Sequence, residues 1–239
     1  MATLWVAMSF TTKAPSGAAL TLVFDHYVGD KILQFDTVSY TNALGQSFTV
    51  TKFKYYIGKI HLEKAGRDVA YDDYYLIDEE NEPSKKITLT NIPAGDYTGM
   101  DFIIGVDSID NCSGAQSGAL DPVNAMFWAW NTGYIFLKLE GRSPASTSPG
   151  NVFEYHIGGY KKPANCIRHV AVKFGVPISL DNDHHGYIHI KADVAEILKN
   201  PTTIDISKLS SVTDFHNAAT IADNYAHMFS FLGVENPNR

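Results

Sequence analysis

Nine histidines and two cysteines are the residues of this 239-residue chain best suited to hold a metal ion. Imidazole nitrogen and thiolate sulfur are the side-chain donors that borderline and soft ions prefer. Strand alternation sorts them by face. His61 lies beside Lys59 and Glu63, His169 shares a face with Ala171 and Lys173, and His189 shares one with Tyr187 and Lys191. All three are expected to be solvated imidazoles. His216 and His227 border a helical pattern near the C-terminus and read as surface residues. His184 and His185 stand in the run Asp181-Asn182-Asp183-His184-His185-Gly186. Its composition is that of a turn, although adjacent imidazoles could grip an adventitious ion.

Two histidines differ. His26 shares a face with Leu20, Leu22, Phe24 and Val28, and a buried imidazole needs either a hydrogen-bond partner or a metal. His156 shares a face with Val152 and Glu154, and Gly158-Gly159 after it lets the backbone approach something closely. Trp128-Ala129-Trp130 puts two indoles on one side of an extended segment, for which core packing is the plain reading. Enzyme chemistry finds little to build on. No G-x-S-x-G, phosphate-cradling glycine loop, H-E-x-x-H or C-x-x-C occurs. Asp72-Asp73 and Glu79-Glu80 are paired carboxylates in turns and loops, where solvation accounts for them. The chain is expected not to be an enzyme.

Strands must position these residues. Periodicity predicts strands over 20–28, 48–63, 69–77, 87–89, 97–106, 152–157, 167–174 and 187–192, with Gly58 as the kink in the longest. The segment Asp107 to Pro122, rich in Gly, Ser and Asp, reads as an irregular loop. A short helix is expected over 194–198, stopping before Asn200-Pro201. In 218–232, Ile221, Tyr225, Met228, Phe229 and Leu232 fall at helical spacing, which predicts an amphipathic C-terminal helix. The expected fold is all-β: a two-sheet antiparallel sandwich, immunoglobulin-like, with that helix at its end. Residues 1–19 read as a flexible N-terminus or leader remnant, and 20–239 as one domain that is monomeric.

Composition agrees with strands: 45% hydrophobic and 12% aromatic, with 13 Tyr and 13 Phe. A net charge of -7 leaves no basic stripe for nucleic acid, and no apolar run approaches the length that spans a bilayer. Cys112 and Cys166 leave the compartment open, since a disulfide suits an oxidising envelope and free thiols suit the cytosol.

Several segments taken together resemble one family. They are Phe53-Lys54-Tyr55-Tyr56-Ile57, Ile104-Gly105-Val106-Asp107-Ser108 and Gly118-Ala119-Leu120-Asp121-Pro122. They continue with Met126-Phe127-Trp128-Ala129-Trp130-Asn131-Thr132-Gly133-Tyr134 and Tyr155-His156-Ile157-Gly158-Gly159. In that order they are similar to the MbnP-like family of periplasmic proteins. The resemblance implies a cell-envelope protein of copper homeostasis that binds one Cu(I) ion and no organic cofactor. It implies a partner, a di-haem protein of the MauG/cytochrome c peroxidase type, that oxidises the first tryptophan of W-x-W, here Trp128, to kynurenine. It carries His156 into the site through the H-I-G motif, and it leaves open a lipid anchor on the full-length precursor. His26 is added to the expected ligands from its inward position. The loop after Gly105-Val106 reads Asp110-Asn111-Cys112 where the family pattern has a histidine. Cys112 is therefore either a soft ligand, a partner of Cys166, or a sign that this branch has lost copper.

The alternative is a non-enzymatic surface sandwich with a structural or adhesive role. Its aromatic segment around Trp128 would be core or a glycan platform, and the 107–121 loop would hold calcium through oxygens.

Overall fold

The computed structural model describes residues 17–65, 68–128, 133–181, 185–213 and 217–235. The expected leader, apart from its last residues, lies outside them, as do Trp130, His184 and His216.

The chain opens with β1 (Ala18–Val28) and β2 (Lys31–Ile32), then β3 (Tyr40–Thr41), β4 (Ser47–Lys64) and β5 (Val69–Asp78). After a 3-10 turn come β6 (Lys86–Ile92), β7 (Gly95–Ile104) and the short helix α1 (Ser108–Cys112). Next are β8 (Phe127–Trp128), β9 (Gly133–Arg142), β10 (Val152–Gly158), β11 (Arg168–Leu180) and β12 (His185–Asp193). The end holds α2 (Val194–Ile197), β13 (Ser211–Val212), α3 (Ala218–Tyr225) and β14 (Phe229–Glu235).

Two sheets form a sandwich-like arrangement. One runs β14-β12-β1-β2 with β6 also on β1. The other runs β11-β7-β4-β9-β10-β13, with β3 and β5 on β4 and β8 on β9. In β1, Leu20, Leu22, Phe24, His26 and Val28 are all buried as read, and Thr21 and Val23 on the other face are covered as well. Burying each of these apolar side chains contributes about 1.5–3 kcal/mol, which outweighs the cost of taking one imidazole with them. Phe24 meets Tyr55 and Phe102 of the facing sheet with ring centroids 6.4 Å apart.

Three expectations are corrected. Both sheets are mixed and not wholly antiparallel, because β1 pairs in parallel with β12 and β10 with β13. The break in β4 falls at Lys59, whose φ is 54° and where the register slips between Gly58 and Ile60. Gly58 is needed for another reason: a Cβ there would sit 2.4 Å from the Tyr74 ring. The predicted C-terminal helix stops at Tyr225, and 229–235 forms β14, antiparallel to β12. Ile221, Tyr225 and Met228 do bury as the helical spacing requires. Beyond them the open edge of β12 supplies backbone partners, and pairing with it overrides the helical pattern. Leu232 is left 49% exposed, which a helix face would have buried.

The 107–122 segment is more ordered than expected. Asp107 caps α1 by accepting from the backbone N–H of Ile109 and Asp110, and Asp121 accepts likewise from Val123.

Candidate functional site

On β10, Phe153, Tyr155 and Ile157 point into the core and are fully buried, so Glu154, His156 and Gly158 line the outer face of the sheet. Strand pairing sets Lys54, Lys138 and His156 in one row across β4, β9 and β10. The adjacent row is Lys52, Glu140 and Glu154. His156 Nε2 lies 2.8 Å from Glu140 Oε1. Hydrogen bonding from His156 holds the Glu140 carboxyl below its ordinary range, against the opposing effect of burial. An ionised carboxylate only accepts, so Nε2 carries a proton, and in the neutral ring the lone pair falls on Nδ1. That nitrogen has no hydrogen-bond partner among the described residues. Nor is it sealed in, since no buried side-chain nitrogen or oxygen there lacks a partner. An imidazole held by a carboxylate on one nitrogen and open on the other is the arrangement that orients histidine ligands on metals.

Trp128 is the neighbour that Gly158 makes room for. A Cβ on Gly158 would stand 2.7 Å from Cζ3 and 2.9 Å from Cη2 of the indole, and 2.4 Å from the Tyr134 carbonyl. The irregularity between β9 and β10 at this point lies on β9, so Gly158 keeps the same face as His156. The indole, only 6% exposed, thus covers the next outward position along the strand from His156. Trp128 is set there by pairing with Gly133 across β8 and β9. Lys138 steadies the approach to it by donating to the Ala125 carbonyl at 2.6 Å. Burial lowers the pKa of that ammonium, and the charges of Lys54 and Lys52 add to the effect while Glu140 opposes it.

Cys112, at the end of α1, is exposed and donates to the Tyr160 hydroxyl at 3.2 Å, two residues past Gly158. Neighbouring Asn111 accepts from the Tyr134 N–H at 3.0 Å, so α1 leans on the start of β9. Cys166 is buried, and burial pushes its thiol up to about 12. Both thiols are free, so of the three readings of Cys112 the pairing with Cys166 is not the one adopted.

His26 is not brought to this site. It is buried on the inner side of the sandwich, with Nδ1 2.7 Å from Glu79 Oε2 and Nε2 2.9 Å from the Tyr55 hydroxyl. Tyr55 pairs with Leu137 on the inner face, so the nine-stranded sheet separates His26 from His156. Other histidines are accounted for as well. His61 meets Asp101 at 3.1 Å, His189 bridges Asp25 and Glu235, His185 reaches Thr21 at 2.8 Å, and His169 and His227 are exposed.

Glu140 and Lys138 went unnoticed in the sequence. Alternation of Leu137 and Leu139 with Lys138 and Glu140 was the available signal, but only the β9–β10 register says which histidine they face.

For a copper ion, His156 Nδ1 offers one suitable donor. An intact indole offers none, because its nitrogen only donates. Among the described residues no group of three His, Cys, Asp or Glu side chains is placed to hold a metal ion. Beside His156, the intact side chains on this face complete no copper site among the described residues. The calcium alternative fits less well. Asp107 and Asp121 serve as caps, and the Lys59 ammonium lies within 4.0 Å of Asp72, Asp107 and Asp110. No helix of the described residues is long and apolar enough to cross a membrane.

No curated protein matches the chain. Among solved structures it is similar to MbnP from Methylosinus trichosporium, at 14% identity over 78% of this chain and 79% of that one, with a TM-score of 0.48. The MbnP family matches residues 17–217, well over half of the chain. This chain belongs to the MbnP family.

Proposed function

We propose that this is a non-enzymatic copper-binding protein of the cell envelope, acting in the periplasm in copper homeostasis. In this reading a di-haem protein of the MauG/cytochrome c peroxidase type oxidises Trp128 to kynurenine. The converted residue and His156 then hold a single Cu(I).

The observation that carries the reading is the seating of the Trp128 indole over Gly158, one outward position from an imidazole whose Nδ1 lone pair is open. Conversion replaces an indole that has no available lone pair with an aryl amine and carbonyl oxygen, at a place where one nitrogen donor already waits. Glu140 orients the imidazole and keeps its proton on the far nitrogen. Cys112 stands at the same end of β10 through Tyr160 and is the reserve thiolate donor.

Peptide mass mapping and metal analysis of protein from its native host test the reading together. Trp128 is expected to gain one oxygen and lose one carbon, Trp130 to stay unchanged, and copper to copurify at one per chain. Protein made without the oxidase is expected to keep the indole and bind copper poorly. Tight stoichiometric copper binding with an intact Trp128 would overturn the role of the modification.

A further inference from the structure

On the inner side of the sandwich, remote from His156, Tyr55 is fully buried among Phe24, Phe53 and Phe229. Its hydroxyl meets His26 Nε2 at 2.9 Å, and His26 Nδ1 meets Glu79 at 2.7 Å. Glu79 also accepts from Lys85 at 3.1 Å and is the point where the chain of hydrogen bonds reaches the surface. Burial favours the protonated form of Glu79. The His26 hydrogen bond and charge, with those of Lys85, outweigh it and hold the carboxyl below its ordinary value. An ionised Glu79 accepts a hydrogen bond from Nδ1–H, so Nε2 presents its lone pair to the phenol. The arrangement is phenol, imidazole, carboxylate in line, as in a nucleophile–base–carboxylate triad with tyrosine in the first place.

Other buried tyrosines lack this. Tyr56 donates to the Ala119 carbonyl, Tyr97 to Pro93, Tyr134 to Leu120, Tyr155 to Leu209 and Tyr225 to Cys166. An amide carbonyl cannot take a proton at neutral pH; an imidazole can. Tyr55 alone among these has a base waiting. Burial raises the phenol pKa well above its ordinary value and lowers that of His26, so at rest the proton stays on oxygen. Removing an electron from the ring makes the phenol strongly acidic, and the proton then has one short step to make.

We propose that Tyr55 is a proton-coupled redox tyrosine with His26 as its proton acceptor. A one-electron oxidant takes an electron from the ring as the O–H proton passes to Nε2. The products are a neutral phenoxyl radical, an imidazolium paired with Glu79, and the reduced oxidant. Aromatic rings lie close together between Trp128 and Tyr55, a medium through which an electron can tunnel without a radical resting on Phe127. Trp128 adjoins Phe127, which packs 5.1 Å from Tyr134, and Tyr134 stands 5.8 Å from Tyr56, the neighbour of Tyr55. The physiological oxidant, high-valent haem iron acting through Trp128, rests on the function proposed above; the tyrosine chemistry does not. Tyr55 would then collect oxidising equivalents that overshoot Trp128.

Flash photolysis of the metal-free full chain with tris(bipyridine)ruthenium and a sacrificial acceptor supplies the oxidant without partner or copper. The phenoxyl absorption and electron paramagnetic resonance signal are read over time. The parent is expected to form a long-lived buried radical that Tyr55→Phe removes, leaving only short-lived surface signals. Glu79→Gln, which keeps the phenol and a hydrogen-bond acceptor but removes the charge that steadies the imidazolium, is expected to slow its formation about tenfold. The same long-lived signal in Tyr55→Phe, or an unchanged rate in Glu79→Gln, overturns the proposal. A positive result beside an unmodified Trp128 in native protein would defeat the proposed function and leave this inference standing.

Discussion

His26 and His156 sit on opposite sides of one sheet, each bonded to a glutamate at under 3 Å, and they differ in what their second nitrogen meets. His26 has both ring nitrogens engaged and is sealed in the core, so its imidazole completes a buried network and has nothing left to offer a ligand. His156 is half-buried, tied by Nε2 and open at Nδ1. The carboxylate contact is common to both; the second nitrogen distinguishes them, engaged by Tyr55 in His26 and open in His156. Burial alone is thus a poor guide to which histidine keeps a nitrogen open.

The contrast can be broken most forcefully by deletion. His26→Ala opens a cavity and orphans the Tyr55 hydroxyl, and is expected to cost about 2–4 kcal/mol of stability in urea unfolding. His156→Ala is expected to cost less than about 1 kcal/mol, yet to weaken copper binding by the mature protein at least tenfold, or about 1.4 kcal/mol. Equal losses of stability, or copper affinity that follows His26 instead, would abolish the distinction.

Gly158→Ala sharpens it by moving the tryptophan without touching either histidine. The added methyl would meet the Trp128 ring at 2.7 Å and the Tyr134 carbonyl at 2.4 Å, and backbone cannot yield cheaply. A loss of about 1–3 kcal/mol is expected, with a shift in tryptophan fluorescence and weaker copper binding. Unchanged fluorescence would mean that the indole does not rest on this glycine.

Glu140→Gln is milder, because an amide oxygen still accepts from Nε2. Copper affinity is expected to fall about tenfold through lost orientation and ligand basicity, with stability nearly unchanged. Isothermal titration of the mature variant decides it.

The smallest effect is in the pH dependence of stability. Burial lowers the pKa of His26 from 6.5, despite Glu79, so the unfolded chain binds the proton more readily. Its contribution is full above pH 6.5 and is lost as the pH falls below it. His189 has the opposite sign. Burial alone would lower its pKa, but Asp25 and Glu235 raise it above 6.5, so its contribution is full below that value and fades as the pH rises through the folded pKa. His189→Gln is expected to flatten the alkaline side of the profile and leave the acid side, whereas His26→Gln should do the reverse. The same change in both variants would refute the assignment.

Local order in the chain was enough to read β1 and the inward direction of His26, because two-residue periodicity with an apolar row is written in consecutive side chains. It was enough to mark Trp128 and the His156-Ile157-Gly158 run as belonging together, and the glycines as a place of close approach. What approaches was not legible: the ring over Gly158 belongs to a residue thirty positions earlier, brought there by the β8–β9–β10 register. The same holds for Glu140, which faces His156 only because those two strands pair as they do. Nothing local tells Phe229 to leave a helix for the edge of β12, or β1 to run parallel to a strand more than 150 residues away. Side-chain periodicity determines which face a residue presents. Which partner meets that face is settled by hydrogen bonds and burial between segments far apart in the chain, and the open nitrogen of His156 is one of their products.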